Sequence, residues 1–430
     1  MDETSLRAQL EVAVSDEPPI GNLVSNSLRY GHRLRRRRRI QAAAGATLAI
    51  AVIAAAFPLA NGALTGKVRV QDASAGPSMA YVTTSANSVV PIDLRTDTAL
   101  APIKLTARGQ PVDMVISRNG KTIYVASEDG DITPISTATR TAGRPIRVTN
   151  YLYQIVLAPD GRYAYAVTQS CNLIRVNLAT GAIGKTLRLR TVGRLVMDPD
   201  GRTAYGLSPA ATNTVWPVDL VTDRPLASHA FPQLVANSAV TPDGKSAWVF
   251  LSSSARQSRL VKVNLVTWAQ SAPIRLPGAD QVAFGPGDAT AFAFGDDDIT
   301  PVNLSTGSVG TAVKVQAPLA QTVDGFALSP NGHTAIAYNG AAVSSGGVRI
   351  TLVNLADGTA LGPVYLGYRG WLPASSTFVL DSGVAYVSIV REGTGTQAGK
   401  LIPVQAATGK PTGRPITMPS GQPEEALVTR

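Results

Sequence analysis

The chain has one cysteine, Cys171, in 430 residues. No intrachain disulfide can form, so the fold must be held by its own core, and a Cys-x-x-Cys metal or redox pair is excluded. Cys171 reads as a small apolar filler near a strand start. Histidine is nearly as scarce, with only His32, His229 and His333. A histidine metal site or a Ser-His-Asp triad would need these to converge from different parts of the chain. Charged residues make up 16% and aromatics 6% against 44% hydrophobic residues, which excludes a disordered chain. The net charge is +10, but residues 1–39 already hold 8 Lys and Arg against 5 Asp and Glu. The remaining excess is thin and widely spread, so nucleic acid is not an expected partner.

Long apolar runs are also rare, with a single exception at residues 40–60, IQAAAGATLAIAVIAAAFPLA, which contain no charge. At 1.5 Å per residue this segment spans about 31 Å, close to the hydrocarbon thickness of a bilayer. Arg33, Arg35, Arg36, Arg37, Arg38 and Arg39 stand immediately before it. Basic residues beside a span stay on the cytoplasmic side, so the expected arrangement is a single-pass cell-membrane anchor with the N-terminus inside and the rest extracytoplasmic. A cleaved signal peptide is the rival reading; the 39 residues before the apolar run are far longer than a normal leading region. A buried helix is the third, and the abutting arginines argue against it.

Residues 1–39 form a basic head in which Leu6, Leu10 and Val14 recur every four residues, one stripe of a short helix that Pro18-Pro19 ends. Such a helix lies on anionic lipid or docks a cytoplasmic regulator. Residues 61–78 lack periodicity and read as a linker.

What is abundant is Gly (39) and Pro (29), and they recur in register. One unit runs VDMVISRNGKTIYVASEDGDITPISTATRTAGRPIRV from Val112, and the next runs QIVLAPDGRYAYAVTQSCNLIRVNLATGAIGKTLRL from Gln154. Each holds four short β-rich runs separated by Pro-Asp-Gly and Ala-Thr-Gly turns, in which Gly supplies positive φ. Four antiparallel strands per unit of roughly 40 residues is the blade of a β-propeller. The second run recurs at Tyr81, Tyr124, Tyr165, Tyr205, Trp248, Phe292, Ile336 and Tyr386. The expected fold is therefore all-β, a propeller of four-stranded blades over residues 79–430, with eight blades and seven as the alternative. The repeats begin at a second strand, and Gly421-Gln422-Pro423 echoes Gly109-Gln110-Pro111. The C-terminal strand is thus expected to complete the first blade and close the ring, leaving no open edge.

The stretches DGKTIYVAS, ITPISTATRTAGRPIRV and AYVTTSANSVVPIDL resemble the YVTN-repeat family of β-propellers over about residues 79–430. That resemblance implies the fold and is nearly silent on function. The N-terminal layout is similar to the heads of actinobacterial membrane proteins, some of them sigma-factor regulators.

In such a ring the turns after the first and third strands share one face, which is short and uniform here. The turns after the second strand and between blades share the other, and they vary in length, as binding loops do. The interblade connections carry Arg108, Tyr151, Tyr153, Arg190, Arg194, Gln233, Tyr368, Arg369 and Trp371. Arginine beside aromatics suits an acidic protein or a glycan, and Tyr368-Arg369-Gly370-Trp371 is the densest group. Acidic clusters at Asp296-Asp297-Asp298 and at Glu128, Asp129 and Asp131 read as solvated turns, with calcium as the alternative. No catalytic, metal or cofactor constellation is expected. The leading expectation is a tethered binding propeller facing an extracellular protein, glycan or small ligand. The alternatives are a transmembrane sensor acting on a cytoplasmic regulator, and a propeller-type lactonase or hydrolase.

Overall fold

A computed structural model describes most of residues 79–429. The basic head, the apolar run at 40–60 and the linker lie outside the described residues. Among the described residues, no helix is long and apolar enough to cross a membrane.

The described residues form eight antiparallel sheets, each a blade of four strands in sequence order from the inside outward. Blade 2 shows the pattern: an inner strand Pro111–Ile116, then Thr122–Ser127, Asp131–Ser136, and an outer strand in two pieces, Thr141–Ala142 and Ile146–Arg147. Blade 1 is built from both ends of the repeat region. Its inner strand is Pro423–Thr429, hydrogen-bonded to Met79–Thr84 with Met79 opposite Thr429 and Thr83 opposite Glu425.

The second and third strands are buried on both sides because each blade is sandwiched by two neighbours. They therefore read as continuous apolar runs instead of alternating ones. In Met79–Thr84 every residue after the first is buried, and so is every residue of Ser88–Asp93 but the last. The core is divided into eight clusters, one at each interface between blades. Tyr81, Val89, Ile103, Met114 and Ile123 join blades 1 and 2. Ala80, Val90, Ile92, Tyr386, Leu401 and Ile416 join blade 8 back to blade 1. Eight blades with eight interfaces make a continuous ring, which decides between eight and seven.

Two turn chemistries build the uniform face, here called the hairpin face. In the first-to-second turns Gly120, Gly161, Gly201 and Gly244 adopt φ of 69°, 67°, 71° and 68°, and Asn119, Asp160, Asp200 and Asp243 accept the backbone N–H two residues on. In six of the eight third-to-outer turns an Asn or Asp stands at the strand end, with Ser136 and Gln405 in blades 2 and 8, and in the described turns it caps a single α-turn. Asn177 Oδ1, for example, accepts the N–H groups of Ala179 and Thr180 at 3.0 Å each, and Gly181 N–H closes on the Asn177 carbonyl at 2.8 Å. Cys171, with φ of 57°, sits in the turn between the second and third strands of blade 3. It is a left-handed turn residue and not the core filler that the sequence suggests.

Candidate functional site

On the loop face, where the turns between second and third strands and between blades gather, the expected binding residues fall into three groups. Arg108, Tyr151, Tyr368 and Arg369 lie in interblade connections as expected. Tyr153, Arg194 and Trp371 do not: each belongs to an inner strand, at Leu152–Leu157, Arg194–Met197 and Trp371–Pro373 respectively. Their inner-strand runs begin earlier than the apolar pattern suggests, because polar and aromatic residues near the ring axis still pair in the ladder. Arg190 lies outside the described residues.

Around blades 2 and 3 the loop-face side chains are tied to one another. Tyr151 donates its hydroxyl to Glu128 Oε1 at 3.2 Å and packs edge-on against Tyr153, with ring centroids 5.4 Å apart. The Arg108 N–H reaches Asp129 Oδ2 at 2.7 Å, and the Arg147 guanidinium lies 3.2 Å from Asp131 Oδ1. The acids considered as calcium ligands are thus bound by cations and N–H donors. Asp296 and Asp297 lie outside the described residues, while Asp298 pairs with Lys314 at 3.5 Å. Among the described residues no three His, Cys, Asp or Glu side chains gather in a way that could hold a metal.

The junction of blades 7 and 8 differs. Tyr368 meets Trp371 edge-on at 6.3 Å, and both rings rest half-buried on the core formed by Val348, Ile350 and Ile389. Lys400, which opens the third strand of blade 8, places its ammonium 5.6 Å from the Tyr368 ring centre and 5.3 Å from that of Trp371. Each such contact at a partly exposed site contributes about 0.5–1 kcal/mol. Gly347, at φ 88°, packs so closely on the Tyr368 backbone that an added Cβ would lie 2.9 Å away, so the loop is seated firmly. Arg369 is exposed between Gly367 and Gly370. Arg391, directly across the ladder from Trp371, is exposed as well. In blade 7, Arg349 lies 5.9 Å from the ring of Tyr365, which is 57% exposed. The result is an aromatic pair seated on the core, with Lys400 over both rings and Arg369 exposed in the same loop. Lys400, Tyr365, Arg349 and Arg391 do not stand out in the sequence, because each is ordinary locally and only the ring brings them together.

A second arrangement lies on the inner strands. Asp113 Oδ2 accepts Ile155 N–H at 2.7 Å, Gln154 Oε1 accepts Leu195 N–H at 2.7 Å, and the Asn237 amide donates to the Val282 carbonyl at 2.7 Å. Each fastens one blade's inner strand to the next. The sequence carries the signal, since each stands seven residues before its hairpin glycine: Asp113 and Gly120, Gln154 and Gly161, Asn237 and Gly244. Glu425 fills the matching place in blade 1. Loss of water around its carboxyl, then the negative charge of Asp113, push it well above the usual carboxylate range, with Met114 N–H opposing. Asp113 Oδ1 accepts that same N–H at 3.0 Å.

No family model matches the chain, and no curated protein matches it either. Many solved structures do share its fold. The structure titled dihydro-heme d1 dehydrogenase NirN in complex with DHE is 14% identical, with 85% of this chain and 77% of that one aligned at a TM-score of 0.61. A structure titled eukaryotic initiation factor is 12% identical, covering 83% of this chain and 98% of that one at a TM-score of 0.55. The fold is an eight-bladed β-propeller. At such identities the likeness extends to the fold alone, and two neighbours of such different title underline that a propeller ring does not fix a function.

Proposed function

We propose that this chain is a non-enzymatic binding propeller of the YVTN-repeat type. In this reading residues 40–60 tether it to the cell membrane, and its loop face meets an extracytoplasmic protein or glycan carrying acidic groups. The observation that carries the reading is the shelf at blades 7 and 8. Tyr368 and Trp371 stand on a seated loop, Lys400 lies over both rings, and Arg369 is exposed between them in sequence. Aromatic anchors ringed by charge-assisted donors suit a partner with both planar and anionic groups. The anchor reading rests on the uncharged 21-residue run and the arginines before it.

The test is in-cell crosslinking with mass spectrometry. Three forms are compared: the full-length chain, a form lacking residues 2–32, and a full-length R369E/W371A variant. Capture of the same external partner by the first two forms, and its loss in the third with a single cooperative unfolding transition retained, is the expected result. Capture unaffected by R369E/W371A removes the shelf from the function. A cytoplasmic partner seen only with residues 2–32 present makes the propeller a sensor instead.

A further inference from the structure

In every blade the outer strand pairs with the third strand at one equivalent register, toward the loop face and five residues before the third strand ends. In blades 1, 2, 3, 5 and 6 the outer-strand member of that pair is Lys104, Arg147, Arg188, Arg275 and Lys314 in turn. In blades 7 and 8 the third-strand member carries the charge instead, as Arg349 and Lys400, and in blade 5 Arg259 stands opposite Arg275. Blade 4, with Thr214 opposite Ala230, has no charge there. The sixteen positions thus hold eight Lys or Arg and two acids, Asp131 and Asp298. Lys and Arg are 39 of 430 residues, so sixteen positions drawn at random would hold one or two.

The outer strands alternate. Ile103 and Leu105 are buried against blade 2, and Lys104 between them is exposed. Arg188 between Leu187 and Leu189, and Arg275 between Ile274 and Leu276, are exposed in the same way. Arg147 and Lys314 are held by the acids across the ladder, at 3.2 and 3.5 Å. Lys104, Arg188 and Arg275 face Ser88, Asn172 and Arg259, and have no acid partner among the described residues. Like charges directly opposite destabilise a ladder, so the Arg259 and Arg275 pair works against the fold. Protection of an edge strand does not account for the pattern. Either sign of charge deters pairing with another chain, yet all five outer-strand charges are positive, and Arg259, Arg349 and Lys400 stand on a strand that is not an edge.

We propose that this register is a rim of cation sites that binds an acidic polysaccharide, a linear chain of sugar rings bearing carboxylates. The inference rests on the binding role of the loop face and names the partner class. A site repeated once per blade matches a partner whose own charge repeats, as a polymer's does and a folded acidic protein's does not. In blades 7 and 8 the same register ends on aromatic rings. Arg349 lies 5.9 Å from the ring centre of Tyr365, and Lys400 lies over Tyr368 and Trp371. Rings beside a cation offer apolar surface to a sugar face next to its carboxylate.

Biolayer interferometry of the full-length protein in detergent, on immobilised polygalacturonate, tests the proposal. Dextran serves as the neutral chain and single-stranded DNA as the phosphate one. Saturable binding to polygalacturonate and none to dextran are expected, with affinity falling at least about tenfold between about 50 and about 200 mM salt. K104E/R188E/R275E keeps a charge on each edge strand and should lower the affinity at least about tenfold, with a single cooperative unfolding transition retained. R118E/R162E/K245E makes the same net charge change at exposed turns of the hairpin face and should leave the affinity within about threefold. The proposal is overturned if polygalacturonate does not saturate, if DNA binds more tightly, if the rim variant binds as the parent does, or if the hairpin-face variant loses as much. Failure of the shelf reading shows separately: R369E/W371A then captures its partner in cells as the parent does, while reversal of the rim alone abolishes polygalacturonate binding.

Discussion

Asp198 in the hairpin turn of blade 4 allows a quantitative test of how the repeat is built. In blades 2 and 5 the same turn position is Ser117 and Thr241. Ser117 donates its hydroxyl to Asn119 Oδ1 at 2.8 Å and accepts Thr122 N–H at 2.9 Å. Thr241 donates to Asp243 Oδ1 at 2.6 Å and accepts Ser246 N–H at 3.1 Å. Asp198 accepts Arg202 and Thr203 N–H groups at 3.1 and 3.4 Å, but it donates to Asp200 only when protonated. Burial, then that hydrogen bond to Asp200, lift Asp198 from 3.8 to about 6, while Asp200 is lowered. The folded state thus holds a proton that the unfolded chain releases. The stability this provides is complete below the unfolded value of 3.8 and is lost as pH rises through about 6. A lift of that size corresponds to about 3 kcal/mol, and solvent screening at this surface turn discounts it to about 1–2 kcal/mol. Asp198→Thr gives the turn a donor that never ionises. Urea unfolding of the full-length variant should match the parent near pH 4 and exceed it by about 1–2 kcal/mol at pH 7.5. A difference that does not grow between those pH values, or a variant less stable at pH 7.5, refutes the shared-proton account.

Two further outcomes follow from the joints of the ring. Tyr386→Phe removes the donor to Asp97 at the blade 8 to blade 1 joint and should cost about 1.5–3 kcal/mol, as hydrogen bonds to charged groups do. In an Asp97→Gly background the same change should cost almost nothing, and thermal unfolding of the four proteins measures that coupling. At the inner ring, Glu425→Gln should remove the loss of stability that the parent suffers as pH rises from the unfolded carboxylate range through the raised folded value. The reason is that Gln can accept Met114 N–H and donate to Asp113 without a second charge. Equal pH dependence of parent and variant above pH 5, followed by fluorescence during denaturation, would count against it.

The blades are legible in the sequence because their signals are local. A Pro-Asp-Gly turn, a buried Ala-Tyr-Val run and a Val-Asn-Leu cap each act over two to six residues. The closing strand is legible because Gly421-Gln422-Pro423 repeats the start of blade 2. The loop-face residues are legible only in part. Trp371 and Tyr153 look like loop residues because an aromatic next to Arg or Gln does not resemble a strand start, yet inner strands tolerate such residues beside the axis. Lys400 cannot be linked to Tyr368 and Trp371 from spacing, since the contact spans the long second-to-third connection of blade 8. The side-chain fastenings at Asp113, Gln154 and Asn237 are visible in principle, seven residues ahead of each hairpin glycine. They escape a reading of the sequence because polar residues of three different chemistries do not register as one repeated position.

A ring of near-identical blades needs the same joint eight times, so a residue that keeps the repeat's chemistry is explained by the joint it makes. Asp97, whose carboxylate accepts the Tyr386 hydroxyl at 2.7 Å across the blade 8 to blade 1 joint, is accounted for in this way, despite its left-handed backbone. The informative residues are those where the pattern stops. Around blades 2 and 3 the loop-face groups are tied to one another, Arg147 to Asp131 and Tyr151 to Glu128. At blades 7 and 8 the ammonium of Lys400 lies instead over the rings of Tyr368 and Trp371, so a cation and two aromatics are held together at one seated loop.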